Sequence, residues 1–217
     1  MNQAARRLPW TAGVGVLLLI LALSLAFLLA KAKSRLEQLA LPALATVGDF
    51  SLTNQDGAAE SLADLQGKVW VADIIFTRCA GPCPRMTHQM KELQDALPKE
   101  ARTKLVTLTT DPDYDTPAIL KVYSERAGAD AARWTFLTGT KQQIAGLAVS
   151  SLKLSAVPVK QDDRASANDL WVHSTIFVIV DKHAQLRGVF ETGGDGVDWP
   201  TEKQKILAAA KQLEREP

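Results

Sequence analysis

Residues 68–76 read Lys-Val-Trp-Val-Ala-Asp-Ile-Ile-Phe, an almost unbroken apolar run rich in β-branched and aromatic side chains. A run of this length and kind predicts a strand buried on both faces, so the sheet that contains it must be covered on two sides. Leu105 to Thr109 predicts a second such strand, and Trp134 to Leu137 a short third. Helical stretches lie between them. Pro84 opens one to about Leu97, Thr116-Pro117 starts one that ends near Gly128, and Thr140 caps one from Lys141 to about Leu152. Gly48 to Thr53 predicts a strand entering a hairpin at Asn54-Gln55-Asp56-Gly57. Trp171 to Val180 is the longest strand signal, Gln185 to Phe190 its hairpin partner, and Thr201 to Glu214 a last helix. Helices alternating with buried strands predict a mostly parallel sheet with helices on both faces and one antiparallel addition, an α/β fold. Residues 153–170, polar and interrupted by Pro158, are expected to be a loop.

Ahead of this body stands a different kind of segment. From Leu8 to Ala30 the chain carries no charge. About 20 apolar residues at 1.5 Å each cross a hydrocarbon core of about 30 Å, so residues 1–35 are expected to be a membrane anchor, with Trp10 at the interface. A cleaved signal peptide is the competing reading, and Ala30-Lys31-Ala32 matches its small-residue cleavage pattern. The apolar run exceeds the usual h-region, and a lysine inside the cleavage site is unusual, so an uncleaved anchor is the expectation. Residues 36–47 then form a tether, and 48–217 the folded domain. Arg6, Arg7, Lys31, Lys33 and Arg35 flank the apolar run on both sides, with no acid before residue 36, and do not fix its orientation.

The whole chain has 25 basic and 24 acidic residues, so the part after residue 35 is mildly acidic. Nucleic acid is therefore not an expected partner. With 47% hydrophobic and 23% charged residues, wholesale disorder is excluded.

Two cysteines are too few for a disulfide scaffold, but Cys79 and Cys83 frame Cys-Ala-Gly-Pro-Cys between the first buried strand and the helix that follows it. Carboxyl ends of strands are where open α/β sheets bind ligands, and a helix N-terminus favours a thiolate at Cys83. Two thiols in one short loop can close a disulfide or hold a soft metal ion. His173 starts the long strand expected beside the cysteine-bearing one, and would complete a set of two sulfurs and one nitrogen suited to copper. His88 is a rival, expected to point away from the loop, and His183 sits in a solvated turn. Met86 and Met90, four apart on the helix, are read as core filling rather than thioether ligands. Asp111 is placed to tune the charge of the cysteine loop, whereas Asp115 or Thr116 is expected to cap a helix.

Phe76 to Met86 (F-T-R-C-A-G-P-C-P-R-M), Thr110 to Pro117 (T-D-P-D-Y-D-T-P), Leu137 to Gly139 (L-T-G) and His173 to Asp181 (H-S-T-I-F-V-I-V-D) together resemble the Sco/SenC family. Those are membrane-anchored, thioredoxin-like copper proteins of cytochrome c oxidase assembly. The resemblance spans residues 48–214. It implies a thioredoxin-like central mixed sheet and copper ligands at Cys79, Cys83 and His173. It further implies a copper-site subunit of the oxidase, or another copper-accepting protein, as partner. The body is then expected outside the cytoplasm, on the periplasmic side of the inner membrane or in the mitochondrial intermembrane space. The sequence departs from the family pattern at three places. Ala80-Gly81-Pro82 stands where an acidic residue is common between the cysteines, Tyr114 where an arginine is usual, and the turn after Asp181 lacks the common glycine.

A copper chaperone and a thiol–disulfide oxidoreductase that reduces an apo copper site or another exported protein both follow from this arrangement. In the second, Cys79 and Cys83 are the redox pair. A thiol peroxidase is disfavoured because the P-x-x-x-T-x-x-C pattern is absent around both cysteines.

Overall fold

The computed structural model describes the backbone of residues 10–39, 41–154, 156–158, 171–173 and 175–217, and the side chains of residues 14–29, 31, 41–154 and 175–217. The chain divides into two compact units, Met1–Leu41 and Pro42–Pro217.

The first unit holds α1 (Trp10–Leu39), a continuous 30-residue helix. From Val14 to Leu29 its large apolar side chains are exposed, Leu17, Leu21, Leu25 and Phe27 among them. Among the described residues no helix is long and apolar enough to cross a membrane. The side chains of Trp10, Lys33 and Arg35, on which the anchor expectation also drew, lie outside the described residues.

The second unit is a mixed α/β domain with a thioredoxin-like fold. In chain order it contains β1 (Ala45–Thr46), β2 (Ser51–Asn54), β3 (Ala59–Ser61), α2 (Leu62–Leu65), β4 (Trp70–Ile75), α3 (Cys83–Ala96), β5 (Lys104–Thr109), α4 (Pro117–Ala127) and β6 (Trp134–Thr138). There follow α5 (Lys141–Ala145) with a π-helical turn (Gly146–Ser151), β7 (Ala156–Pro158), β8 (Trp171–His173), β9 (Ile176–Val180), β10 (Gln185–Glu191) and α6 (Trp199–Arg215). Eight strands form one sheet in the order β1-β10-β9-β4-β5-β6-β2-β3. β4, β5 and β6 are parallel, with Trp70 opposite Lys104 and Leu105 opposite Trp134. β9 runs antiparallel to β4, and β10 to β9. The Asn54–Gly57 turn signal joins β2 to β3 as a hairpin, held by Asn54 Oδ1, which accepts the N–H groups of Asp56 and Ala58 at 3.0 Å.

Every residue of β4 is buried, as its composition demands. Alternation sends Trp70, Ala72 and Ile74 to one face, where they pack with Val106, Leu108, Val178 and Val180 under Ile144 of α5, Leu147 of the π-helical turn and Leu152 just after it. Val71, Asp73 and Ile75 point to the other face. There α3 packs on β4, α4 on β6, and α6 on β9 and β10. Trp70, Trp134, Phe136 and Phe177 are among the largest fully buried side chains. Removing any of them to alanine costs about 3–5 kcal/mol. Trp134 also donates its indole N–H to Thr107 Oγ1 at 2.9 Å.

Two expected elements differ. Residues 171–180 do not form one strand. They make β8, which pairs with β7 in a separate two-stranded ribbon with His173 opposite Ala156, and then β9 in the main sheet. Part of the expected 153–170 loop is therefore strand, and residues 159–170 lie outside the described residues. The expected helix from Lys141 is α-helical only to Ala145 and continues as the π-helical turn. The last helix begins two residues before Thr201, because Asp198 accepts the Thr201 N–H at 3.3 Å as its cap and Pro200 fits the first turn.

Candidate metal and thiol site

β4 ends at Ile75, and the chain turns through Thr77, Arg78 and Cys79 before Cys83 opens α3. The structure draws no disulfide between the two cysteines. Cys79 is partly exposed and its sulfur accepts the Gly81 N–H at 3.3 Å. Cys83 is fully buried. The expectation that the helix N-terminus would favour a Cys83 thiolate is overturned. The Cys83 thiol is pushed far above its ordinary range, first by its side-chain hydrogen bond with Cys79 and then by burial, with the charges of Cys79 and Asp73 adding to both. The sulfurs thus behave as a coupled pair whose second proton is hard to remove once the first has left.

Around the pair stands a polar frame. Asp115, fully buried, accepts the Thr77 N–H at 3.1 Å and the hydroxyls of Thr77 and Thr109. It ties the start of the cysteine loop to the end of β5, so of the two residues expected to cap the helix the cap falls to Thr116. Burial, ahead of these hydrogen bonds, raises its carboxyl above the ordinary range. Thr116 does cap α4, accepting the Ile119 N–H at 3.5 Å. Asp111 lies beside the loop as expected, and its Oδ2 accepts from Nε and Nη2 of Arg78, the residue before Cys79. The Arg78 guanidinium also lies over the Tyr114 ring, 4.5 Å from its centroid. A guanidinium therefore meets the Asp111–Tyr114 stretch from the cysteine loop, although position 114 itself is a tyrosine.

Sequence reasoning passed over two groups. Asp73 sits inside β4 at 0% exposure, and its charge is felt by Cys83 and by Tyr123. An acid inside a doubly buried strand was the signal for it. The Tyr123 phenol shares a hydrogen bond of 2.7 Å with Thr87, one turn beyond Cys83. Burial, with the charges of Cys83, Asp73 and Cys79, pushes it up to about 12.

The other candidates separate clearly. His88 is on the exposed side of α3, beside Glu92 at 3.4 Å. His183 Nε2 lies 2.9 Å from the Pro217 carbonyl in the turn after β9. Met86 and Met90 are fully buried core residues. The His173 side chain lies outside the described residues, but its backbone is in β8, three residues before β9. Because β9 is antiparallel to β4, its amino end lies at the end of β4 that leads into Cys79. α3 also reaches this region, since Gln89 donates to the Thr192 carbonyl at 2.8 Å and the Thr192 N–H donates to the Thr175 carbonyl at 2.8 Å. Among the described residues no group of three or more His, Cys, Asp or Glu side chains is arranged to hold a metal ion.

The SCO1/SenC family model matches residues 40–206. A SCO1 protein homolog of Bacillus subtilis is 34% identical over 146 residues, which cover 66% of this chain and 72% of that protein. A putative copper-binding protein of Stutzerimonas stutzeri is 32% identical over 181 residues, 80% of this chain and 84% of that one. Among solved structures, BsSco, described as a Sco-family cytochrome c oxidase assembly protein with a disulfide switch, superposes with a TM-score of 0.67 at 27% identity. The match covers 82% of this chain and 99% of that one. The chain belongs to the SCO1/SenC family.

Proposed function

We propose that this SCO1/SenC protein is a copper chaperone whose cargo is held by the thiolates of Cys79 and Cys83 and by the imidazole of His173. It passes that copper by ligand exchange to a copper-site subunit of cytochrome c oxidase or another copper-accepting protein. The observation that carries the reading is the sulfur pair itself, hydrogen-bonded, with one member partly exposed and the other buried. A soft cation entering between the sulfurs displaces protons that solvent base removes with difficulty, so copper is bound at the expense of thiol protons and weakens at low pH. Cys79, the more exposed member, is the sulfur an incoming acceptor meets first. The copper-binding relative and the sheet-end position of the segment bearing His173 support the same assignment. In this reading α1 anchors the protein in the inner membrane, as the uncharged run from Leu8 to Ala30 suggests, and the domain works outside the cytoplasm, where thiol and disulfide chemistry is supplied with oxidant.

The same exposure difference favours a second activity on the same sulfurs. Cys79 attacks a partner disulfide to form a mixed disulfide, and Cys83 then attacks the Cys79 sulfur. The partner leaves as a dithiol carrying two electrons and two protons, and this protein is left with a Cys79–Cys83 disulfide.

Copper titration of the reduced chain tests the assignment. One copper per chain is expected, with tight binding abolished in Cys79→Ser and Cys83→Ser. His173→Ala should mainly weaken Cu(II) and alter its absorption, because Cu(I) persists on two thiolates while Cu(II) prefers further nitrogen donors. Unchanged Cu(II) affinity and absorption in His173→Ala, with disulfide reductase activity intact, would leave the oxidoreductase as the better reading.

A further inference from the structure

The sulfurs occupy the carboxyl end of the parallel strands. Their amino end, about 20 Å away along β4, is built differently. The loops that feed β4, β5 and β6 enclose a concavity of about 650 Å3 lined by Lys68, Lys99, Arg102, Lys104 and Arg133, with Asp130 as its lining carboxylate among the described residues. Three of these cations are held in place by backbone carbonyls. Lys68 Nζ donates to the Asp64 carbonyl at 2.6 Å, Lys104 Nζ to that of Ala132, and Arg133 Nη2 to that of Pro98 at 2.6 Å. A carbonyl fixes a cation without cancelling its charge, and an ammonium or guanidinium held by one acceptor keeps further donors for a ligand.

The charge is left largely uncompensated. Among the described residues none of the five cations stands within ion-pair distance of a carboxylate. Asp130 spends one oxygen on the Ala132 N–H at 2.9 Å. Glu60, on β3, is the other carboxylate felt at Lys104, and Lys68 and Arg133 act there with the opposite sign. Burial, then the crowding of Lys68, lowers the Lys104 ammonium below its ordinary range despite Glu60 and Asp130. Fixed like charges around one concavity are the complement of an anion with several acceptor oxygens.

We propose that this concavity is a binding site for a phosphate group, carried by an anionic phospholipid or free in solution. A lipid headgroup and free phosphate present the same acceptor oxygens, and the test separates them. Only the lipid source rests on the anchor reading of α1; the anion site does not.

The test follows the backbone amides of Lys68, Lys104 and Arg133 by NMR, using the full chain in nonionic micelles. Inorganic phosphate is titrated in one series, and phosphatidylglycerol is added to the micelles in another, with phosphatidylcholine as control. Saturable shifts are expected that disappear in about 0.5 M salt, where the screening length falls below about 5 Å. The charge-neutralised K104Q/R133Q variant should bind at least about tenfold more weakly. Saturation by phosphatidylglycerol without a response to phosphate assigns the lipid source, and saturation by phosphate assigns the free anion. If K104Q/R133Q loses its near-UV circular dichroism, K99E/R102E, altered at exposed side chains, replaces it and should weaken binding equally. No shift with either ligand, or equal shifts in a folded charge variant, overturns the proposal.

Discussion

Arg78 directs both Nε and Nη2 at a single oxygen of Asp111, at 2.8 and 2.7 Å, while its plane rests on Tyr114. The residue immediately before Cys79 is therefore a cation whose charge is balanced from the end of β5. Neutralising Asp111 leaves that cation uncompensated beside the exposed sulfur and favours its thiolate. Asp111→Asn should speed alkylation by iodoacetamide at neutral pH roughly threefold, and Arg78→Ala should slow it by a similar factor, the size expected for one charge acting at partial screening. Equal rates in all three proteins would mean that the Arg78–Asp111 pair is structural only.

The two sulfurs should react in a fixed order. In the reduced chain iodoacetamide should label Cys79 first, and Cys83, fully buried, at least about tenfold more slowly. Peptide mass mapping over time gives the order. Cys79→Ser removes the largest cause of the raised Cys83 thiol, so the pH midpoint for labelling Cys83 should fall in that variant. An unmoved midpoint would mean that burial alone sets the Cys83 thiol. Mild oxidation of the unaltered chain should close a Cys79–Cys83 disulfide, read as loss of both free thiols.

These two cases mark what the sequence carried and what it did not. The strand from Trp70, the helix from Cys83 and the return of β9 beside β4 follow from hydrophobic runs and turn residues, because burial on both faces leaves the chain few alternatives. The placement of Cys79, Cys83 and Asp111 at one end of the sheet followed from the same topology. The state of Cys83 did not, because two opposing effects, helix N-terminus against burial beside a second sulfur, cannot be weighed without their geometry. Asp115 and Thr116 are equal candidates for the cap ahead of Pro117, and only three-dimensional contact with Thr77 and Thr109 reveals Asp115 as a brace. The division of residues 171–180 between two sheets was equally hidden, since both pieces have the same apolar, β-branched character.

Asp181 offers a test of the fold by pH. Burial opposes its charge, but the N–H groups of Gln185 and His183 and the Arg187 guanidinium outweigh burial and hold the carboxyl below its ordinary range. A depressed carboxyl stabilises the fold above its unfolded value of about 3.9, and that stability is lost as pH falls through the folded value. Asp181→Ala should cost about 3 kcal/mol near neutral pH, at the low end for a buried pair because Arg187 retains Glu216 at 3.0 Å. The gap to the unaltered protein in urea unfolding should shrink below about pH 4. A gap independent of pH would place the loss in packing.

Gly193 stands where a side chain would collide with Arg85. A Cβ there would lie 1.8 Å from Nη2 of Arg85, two residues after Cys83, so the guanidinium lies against bare backbone. The same loop is held on both sides, since the Gly193 carbonyl accepts the Thr175 hydroxyl at 3.1 Å and Gln89 holds the neighbouring Thr192 carbonyl. Arg85 is the flexible partner, so Gly193→Ala should displace the guanidinium rather than break the fold, at a cost of about 1–2 kcal/mol in unfolding. The displacement acts on the stretch that runs from α3 through Thr192 to Thr175, next to the segment bearing His173. If that segment supplies the third copper ligand, Gly193→Ala should alter the Cu(II) spectrum, while Arg85→Ala in the same background restores it by vacating the space. A spectrum unchanged in Gly193→Ala would mean that α3 does not set the position of that segment, and failure of Arg85→Ala to restore an altered one would trace the change to the glycine backbone itself.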